Sequence, residues 1–374
     1  MIIGIDAHKY SNEICVLDDA GNTTETFAIA NNVPELNNFI LKYKKFNPQI
    51  AIESSTSGKF VAKTLKNGSL NVHLGNPIGI AAIYSSAKKT DKNDAHILAK
   101  LLRLNELPES YLPPEEIDEM RSIVRYRKSL SEDMTAIKNK VHSLLTVNGL
   151  TIDNVTDIFG NIGLKQILKS TEKLSKTDMF VMTDLLSRYK DMKTRIEEVQ
   201  KQLAGMGKEI DEVKLLMSLP GIDYYSAIAI YSEIGDINRF PDRDHLASYT
   251  GLVPKVTQSG SQERYGHITK RGPSILRSVI VMAAHTLIKI SKRFKKFYLR
   301  IVRRLGKNRA IIAVARKLAE IIYMILKKKE AYKEDEEINK LHGRKVNNMM
   351  VQGNKVSKIG KENIERLIDD IGIT

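Results

Sequence analysis

The chain has 374 residues, of which 42% are hydrophobic and only 10 are proline, so it is predicted to form two or three folded domains and is not largely disordered. Its formal net charge of +15 at pH 7 favours a polyanionic partner. The single cysteine, Cys15, excludes an internal disulfide framework, and with no visible leader peptide or membrane-length apolar run we expect a cytoplasmic protein without a membrane partner.

The first 110 residues alternate between strand and helix patterns and predict one α/β domain. Short apolar or alternating runs predict five strands, at residues 1–6, 13–19, 23–30, 49–54 and 70–75. Apolar residues at helical spacing predict helices at 33–46 and 58–68, and a further helix from Asp91. Three strands followed by helix, strand, helix, strand and helix is the order of an α/β layer with a mixed sheet.

Strand patterns disappear in the second region, residues 111–213, which follows a stiff connection containing Pro108, Pro113 and Pro114. Charged helices with heptad-like apolar spacing replace the strands. In one of them the apolar positions are Met182, Leu185, Leu186, Tyr189, Met192, Ile196 and Val199. This spacing predicts an antiparallel helical hairpin, or a coiled coil between two chains. A helical bundle with no role in dimerisation is the alternative.

The third region, residues 214–332, is predicted to be mostly helical and carries the excess positive charge. Between Arg264 and Ala319 there are 16 lysines and arginines and no acidic residue, whereas the other 43 basic residues nearly balance the 44 acidic ones. Apolar spacing in the same stretch predicts helices with a basic face, reached through a loop at 250–272. A basic surface that serves only solubility is the alternative. Residues 333–374 are predicted to be a polar, partly frayed tail.

The segment "LPGIDYYSA" in the third region looks like one hairpin of a helix-hairpin-helix element, whose backbone N–H groups can hold a phosphate. Asp223, however, stands where that motif usually has a second glycine. Because a carboxylate there would repel phosphate, we expect a structural role for this turn.

Four acidic residues stand where an α/β sheet gathers functional side chains. Asp6 ends the first predicted strand, and Glu53 ends the strand expected beside it. Asp91 and Asp94 share a helix face with Leu98, so they are predicted to point toward the sheet. Each acid alone is as easily a turn residue or the partner of a nearby lysine. Four converging carboxylates, however, stay ionised only with a compensating cation. Oxygen ligands suit Mg²⁺ or Mn²⁺, and two such ions about 3.5–4 Å apart can hold the attacking and leaving oxygens of a phosphodiester.

Three segments around these acids resemble the DEDD, RuvC-like catalytic domain of IS110-type transposases: "GIDAHK" at 4–9, "AIESS" at 51–55 and "KKTDKNDAHILAKLL" at 88–102. Residues 216–254 and 259–285 are similar to the C-terminal transposase domain of the same family, so the resemblance covers nearly the whole chain. It implies an RNase H-like fold with a metal-binding, catalytic tetrad of Asp6, Glu53, Asp91 and Asp94. His8, beside Asp6, is expected to be a packing or orienting residue rather than a metal ligand.

The resemblance also implies a nucleophile in the predicted loop, where "TQSGSQ" places Ser259 before Gly260. Taken by itself, this serine would be a solvated hydroxyl, because serine attacks only when a base, a metal or positive charge stabilises its alkoxide. The family has an essential serine at this position. Such a serine would attack a DNA phosphate and hold the cut strand as a phosphoserine ester. Ser261 is a nearby rival, and the residues alone do not separate the two.

Basic residues after the serine are predicted to clamp phosphate groups, because the planar fork of arginine matches phosphate oxygens. They are Arg264, Lys270, Arg271 and Arg277. A general role in a basic surface is the alternative.

These features predict a DNA transposase or recombinase that moves its own insertion sequence. The resemblance further implies a structured guide RNA, encoded by the element, that selects DNA by base pairing. We also expect a homo-oligomer, either a dimer or a tetramer. Two other functions fit the residues. One is a RuvC-like, metal-dependent, structure-specific endonuclease with water as its nucleophile, and the other is a non-catalytic nucleic-acid-binding protein.

Overall fold

The structure is a computed structural model that describes residues 1–84, 91–259 and 262–333. Its first unit, Met1–Pro113, contains five strands that form one mixed sheet. They are β1 (Ile2–Ala7), β2 (Ser11–Leu17), β3 (Thr23–Ala30), β4 (Gln49–Glu53) and β5 (Asn71–Gly75). Their order in the sheet is β3-β2-β1-β4-β5. Since β1 pairs antiparallel with β2 and parallel with β4, the prediction of a mixed sheet is confirmed.

The helices of this unit are α1 (Val33–Tyr43), α2 (Thr56–Asn67), α3 (Pro77–Ile83) and α4 (Asp91–Arg103). Asn32 and Ser55 cap α1 and α2, each accepting a hydrogen bond from a backbone N–H of the first turn. One face of the sheet packs on these two helices through a cluster that includes Ile3, Ile5, Ile14, Val16, Leu36, Phe39, Ile50, Ile52, Val61 and Leu65. The sequence predicted three of the four helices and missed the short α3.

The other face of the sheet packs against α4 at very close range. Gly4 of β1 lies directly beneath Ala95 and Ala99 of that helix. A Cβ atom on Gly4 would collide with the carbonyl oxygen of Ala95 and lie 2.7 Å from the backbone nitrogen of Ala99. The helix therefore lies as close to the strand as two backbones allow, and its first turn reaches the carboxyl end of β1.

A long helical hairpin opens the second unit, which begins at Pro114. Its helices are α5 (Glu115–Val147) and α7 (Lys176–Gly207), with α6 (Asn161–Thr171) between them. The end of α5 shares one apolar cluster with the start of α7, and the start of α5 shares another with the end of α7. The two helices are therefore antiparallel, as the heptad-like spacing predicted. A coiled coil between two chains stays a prediction.

Six further α-helices, a short 3-10 helix at Ile237–Arg239 and a β-ribbon follow in the described part of the second unit. The helices are α8 (Asp211–Leu216), α9 (Tyr224–Ile234), α10 (Arg243–Tyr249), α11 (Ser274–Ile290), α12 (Lys292–Leu305) and α13 (Lys307–Lys328). The antiparallel strands β6 (Pro254–Ser259) and β7 (Gln262–Ile268) occupy most of the stretch predicted to be a loop. That prediction was wrong because these strands are rich in polar residues and lack the apolar alternation of a half-buried strand.

The buried carboxylate of Glu233 in α9 binds two arginines near the start of α5, the first helix of the hairpin. Glu233 is fully buried and receives two hydrogen bonds from the Arg125 guanidinium, at 2.8 and 3.0 Å. Arg121 lies 3.6 Å from the same carboxylate and donates to the backbone oxygen of Ser232. Both arginines belong to α5, so the two helices are joined by charge as well as by apolar packing.

The turn before α9 has the structural role expected of it, because the Asp223 side chain caps that helix by accepting a hydrogen bond from the Ser226 N–H.

In the described part of the chain no single helix is long and apolar enough to cross a membrane. Helices α11 and α12 taken together have the necessary length and apolarity, but the chain bends by 106° between them. The predicted polar tail lies outside the described residues beyond Lys333.

Replacing Gly4 with alanine tests the close contact between β1 and α4. We expect Gly4→Ala to destabilise the chain by about 1–3 kcal/mol, because the new methyl group forces the helix backbone away from the strand. The urea-denaturation midpoint of the purified protein measures the effect. Gly205→Ala in α7 is the matched control, since no atom of the described residues lies within 4 Å of its Cβ position. We expect that control to be neutral or more stable, and equal midpoints for the two variants would refute the contact.

Candidate active site

The carboxyl ends of β1 and β4 bring two acidic residues to one edge of the sheet. Asp6 is the next-to-last residue of β1 and is only 8% exposed. Glu53 is the last residue of β4, and the parallel register pairs the residues just before them, Ile5 and Ile52. Because side chains alternate along a strand, Asp6 lies on the same face as Gly4, which is the face covered by α4.

The first turn of α4 brings the other two acids to the same place. Asp91 begins the helix, with its side chain largely exposed, and Asp94 follows one turn later, half-buried. His8 Nε2 lies 3.1 Å from Asp6 Oδ2 and 3.3 Å from Asp91 Oδ2. One ligand atom each from Asp6, His8 and Asp91 falls within 4.8 Å of the others. Asp91 is more than 80 residues from Asp6 and His8 in the sequence, and the fold brings it to them.

The pKa of Asp6 is affected by the three other predicted acids. Its pKa is raised from the ordinary 3.8 to about 6, first by burial. The nearby charge of His8 opposes this shift, while the negative charges of Asp94, Asp91 and Glu53 add to it. The other three predicted acids are therefore all close enough to act on Asp6.

This arrangement fits a divalent cation. Without a cation, burial and three neighbouring negative charges favour the protonated form of Asp6. A cation held by the carboxylate oxygens would compensate that charge, and hard divalent ions prefer oxygen ligands. The imidazole of His8 is also within reach of such an ion, whereas the sequence predicted a packing or orienting role.

Sequence reasoning missed a fifth carboxylate beside this group. Glu13 of β2 is the direct neighbour of Asp6 in the antiparallel register, so its side chain lies on the same face of the sheet. Its Oε2 atom is buried and has no hydrogen-bond partner among the described residues. The residue became visible only through the β1–β2 register, which the sequence did not specify.

The predicted nucleophile lies in the second unit, at the end of the β-ribbon. Ser259 is the last residue of β6 and pairs with Gln262, the first residue of β7. It therefore occupies the tip of the ribbon rather than a loop. Its rival, Ser261, lies outside the described residues.

The predicted phosphate-binding residues follow along the ribbon and at its base. Arg264 of β7 is exposed, as are Lys270 and Arg271 just after the strand. Arg277, in the first turn of α11, donates through Nη1 to the backbone oxygens of Thr250 at 3.2 Å and Arg271 at 3.5 Å. One nitrogen of Arg277 thus holds the base of the ribbon together.

Comparison with known proteins gives matches over both units. A family model of DEDD transposases of the IS110 kind, described as "Transposase", matches residues 3–148, and the model described as "Transposase IS116/IS110/IS902 family" matches residues 213–299. The first range contains all four carboxylates, and the second contains the β-ribbon.

Curated proteins with similar sequences come from several bacteria. The transposase for insertion sequence element IS1111A of Coxiella burnetii is 29% identical over 259 residues, which cover 67% of this chain and 70% of that protein. The transposase for insertion sequence element IS1328 of Yersinia enterocolitica is 23% identical over 332 residues, 87% and 96% of the two chains. The pilin gene-inverting protein of Moraxella bovis is 25% identical over 347 residues, 88% and 97% of the two chains.

The raised pKa of Asp6 predicts a pH-dependent effect of Asp6→Asn on stability. Between about pH 4 and 6 the folded protein keeps a proton that the unfolded chain has lost, so wild-type stability falls as the pH rises through this window. Asparagine has no such proton. We therefore expect the stability advantage of the variant to grow from pH 4 to pH 7, by on the order of 1–3 kcal/mol.

Urea denaturation in EDTA at several pH values measures this advantage. Glu106→Gln, at an exposed acid of the same unit, is the control and should show no such growth. An advantage of Asp6→Asn that stays constant with pH would contradict the shifted pKa.

Proposed function

The chain belongs to the IS110 family of transposases and is a DNA transposase, and we propose that it cuts and rejoins the DNA of its own insertion sequence through a phosphoserine intermediate. The observation that carries this proposal is the convergence of Asp6, Glu53, Asp91 and Asp94 at one edge of a mixed sheet. We assign this unit an RNase H-like fold, which the strand order and the position of the acids support.

The four carboxylates would hold Mg²⁺ or Mn²⁺. A bound divalent ion polarises a phosphodiester and favours the ionised form of an attacking hydroxyl. The side chains themselves position the ion. Asp6 is fixed by its strand and by burial, and Asp91 and Asp94 are fixed by the contact between α4 and Gly4. His8 orients Asp6 and Asp91 through its contacts with both.

Ser259 is the proposed nucleophile. Its Oγ forms a bond to the phosphorus of the DNA backbone, and the bond from phosphorus to the leaving-strand oxygen breaks, so that this strand departs with a free hydroxyl. The phosphoester count is unchanged, so a hydroxyl of another DNA end can displace the serine and rejoin the strands. The position of Ser259 at the tip of a narrow ribbon supports this role, because a tip can enter a DNA groove or a separate catalytic centre.

Arg264, Lys270 and Arg271 are proposed to hold phosphates beside the serine, since all three are exposed along the ribbon or just after it. Arg277 is proposed to act at the same place. Its Nη1 fixes the ribbon base, and the rest of its guanidinium has donors left for a phosphate.

We further propose that an element-encoded RNA selects the DNA, that the active form is a dimer or tetramer, and that the protein works in the cytoplasm. The concentrated basic charge of the second unit supports a polynucleotide partner. The likeness to a pilin gene-inverting protein supports recombination rather than cleavage alone. An endonuclease that uses water remains the second candidate, and it differs in requiring no serine.

Removal of single carboxylates tests the metal centre. In wild-type protein we expect Mg²⁺ at about 100 times its dissociation constant to add about 2.7 kcal/mol of stability. Asp6→Asn and Asp94→Asn should lose most of this gain together with strand cleavage, whereas Glu106→Gln should keep both. Thermal melting with and without Mg²⁺, followed by a cleavage assay on element-end DNA, measures the two effects. Full cleavage by both asparagine variants would rule out the proposed centre.

The serine is tested with element-end DNA, the adjacent noncoding RNA of the element and Mg²⁺. We expect a covalent protein–DNA adduct on a denaturing gel and its attachment to Ser259 by mass spectrometry. Ser259→Ala should form no adduct and Ser261→Ala should form it normally. Free cut ends from Ser259→Ala would favour water as the nucleophile, and omission of the RNA shows whether the guide is required.

A further inference from the structure

Helix α12 carries basic side chains on one side and apolar side chains on the other. Seven of its 14 residues are basic, none is acidic, and all seven basic side chains are exposed. They are Lys292, Arg293, Lys295, Lys296, Arg300, Arg303 and Arg304. Among the described residues no acidic side chain forms an ion pair with any of them, so their charge is directed to solvent.

The basic residues form one stripe along the helix. At about 100° per residue, six of the seven fall within an arc of about 120°, and only Lys295 lies outside it. The stripe runs from Lys292 to Arg304, a distance of about 18 Å along the axis at 1.5 Å per residue. Six like charges at this density repel one another and favour binding of a polyanion.

The opposite side of α12 is already occupied. Phe294 is buried, and Phe297 and Tyr298 pack against the core of the unit. Only Leu299 and Leu305, at 48% and 40% exposure, present large apolar side chains to solvent. A basic amphipathic helix that lies on a membrane needs its apolar face free for lipid. In α12 that face is used for folding, which disfavours a membrane as the partner.

We propose that the basic stripe of α12 binds the phosphate backbone of duplex DNA, as a surface made of residues other than those of the β-ribbon. This proposal rests on the proposed function only in that the protein handles DNA. It adds a second, sequence-independent contact, which would hold the DNA while the ribbon and the carboxylates act.

The composition of the stripe selects duplex DNA over RNA and single strands. Proteins that hold single strands combine a basic groove with exposed aromatic rings on which bases stack, whereas the aromatic side chains of α12 are buried or half-buried. An α-helix about 10–12 Å across fits the major groove of B-form DNA, which is about 12 Å wide, whereas the major groove of A-form RNA is too narrow. The lysines and arginines of the stripe then contact the phosphates that border the groove.

The test compares two triple variants of the full chain with the same change in net charge. Lys296→Gln, Arg300→Gln and Arg303→Gln together neutralise the centre of the stripe. Lys173→Gln, Lys176→Gln and Lys201→Gln neutralise three exposed lysines of the helical hairpin region as the matched control. Circular dichroism confirms that both are folded. Binding of a duplex of random sequence is measured by fluorescence anisotropy between 50 and 300 mM salt.

We expect the α12 variant to bind the duplex at least about tenfold more weakly, and the slope of log K against log salt to shrink by about 2.7, which corresponds to three lost phosphate contacts. The control should stay close to wild type. An equal loss in both variants would mean that net charge alone matters, and would overturn the proposal. So would a loss confined to an RNA duplex, to single-stranded DNA of the same length, or to vesicles of anionic lipid.

The cleavage assay separates this inference from the proposed function. If cleavage depends on Asp6 while the α12 variant binds the duplex like wild type, the stripe proposal fails and the proposed function stands. If no cleavage occurs in wild type while duplex binding depends on α12, the stripe proposal stands and the proposed function fails.

Discussion

The contact between the backbone of α4 and Gly4 determines where Asp91 and Asp94 lie relative to Asp6. A side chain at position 4 would lift the helix from the sheet, and the first turn with Asp91 and Asp94 would move with it. The opposite face of the same strands is filled by large aliphatic residues such as Ile3 and Ile5, which anchor β1 on the other helices. The strand is thus fixed from one side and closely approached from the other. Interiors packed at this density transmit small displacements instead of absorbing them, so the geometry of the carboxylates depends on a residue that has no side chain.

Holding these acids together costs stability that the fold must supply elsewhere. Burial and three like charges raise the pKa of Asp6, and the single nearby imidazole of His8 compensates only in part. The unpartnered, buried oxygen of Glu13 beside it adds a further unfavourable group. Buried groups that repel one another are typical of binding sites. A bound ligand of opposite charge removes the repulsion and so stabilises the folded protein. The apolar clusters on both faces of the sheet supply the stability that offsets this cost.

The sequence predicted most of the first unit because its strands and helices have clear periodicity, and the acids stand at the ends of those elements. It did not predict that Glu13 faces Asp6, since that depends on the pairing of two strands and not on either strand alone. The ribbon was missed because Thr257, Gln258 and Ser259 carry no apolar alternation, and its stability comes from backbone pairing with β7. The close approach at Gly4 was also not predicted, because a glycine in a strand can equally mark a bulge, a bend or the approach of another backbone. The excess of basic residues between Arg264 and Ala319 was evident from the sequence. That they form one stripe on α12 became clear only from the structure, which shows the side of the helix that packs against the core.

The charged junction between Glu233 and the two arginines of α5 has a mechanical consequence. Separating a fully buried carboxylate from its arginine partners leaves an uncompensated charge in the interior, a cost of about 3–5 kcal/mol, so this joint does not slip under thermal motion. Helix α5 extends for 33 residues, or about 50 Å, from near that joint to a tip where Val147 is 81% exposed. A displacement of α5 at the end near Glu233 is therefore passed on to α9, because the joint between the two helices resists separation.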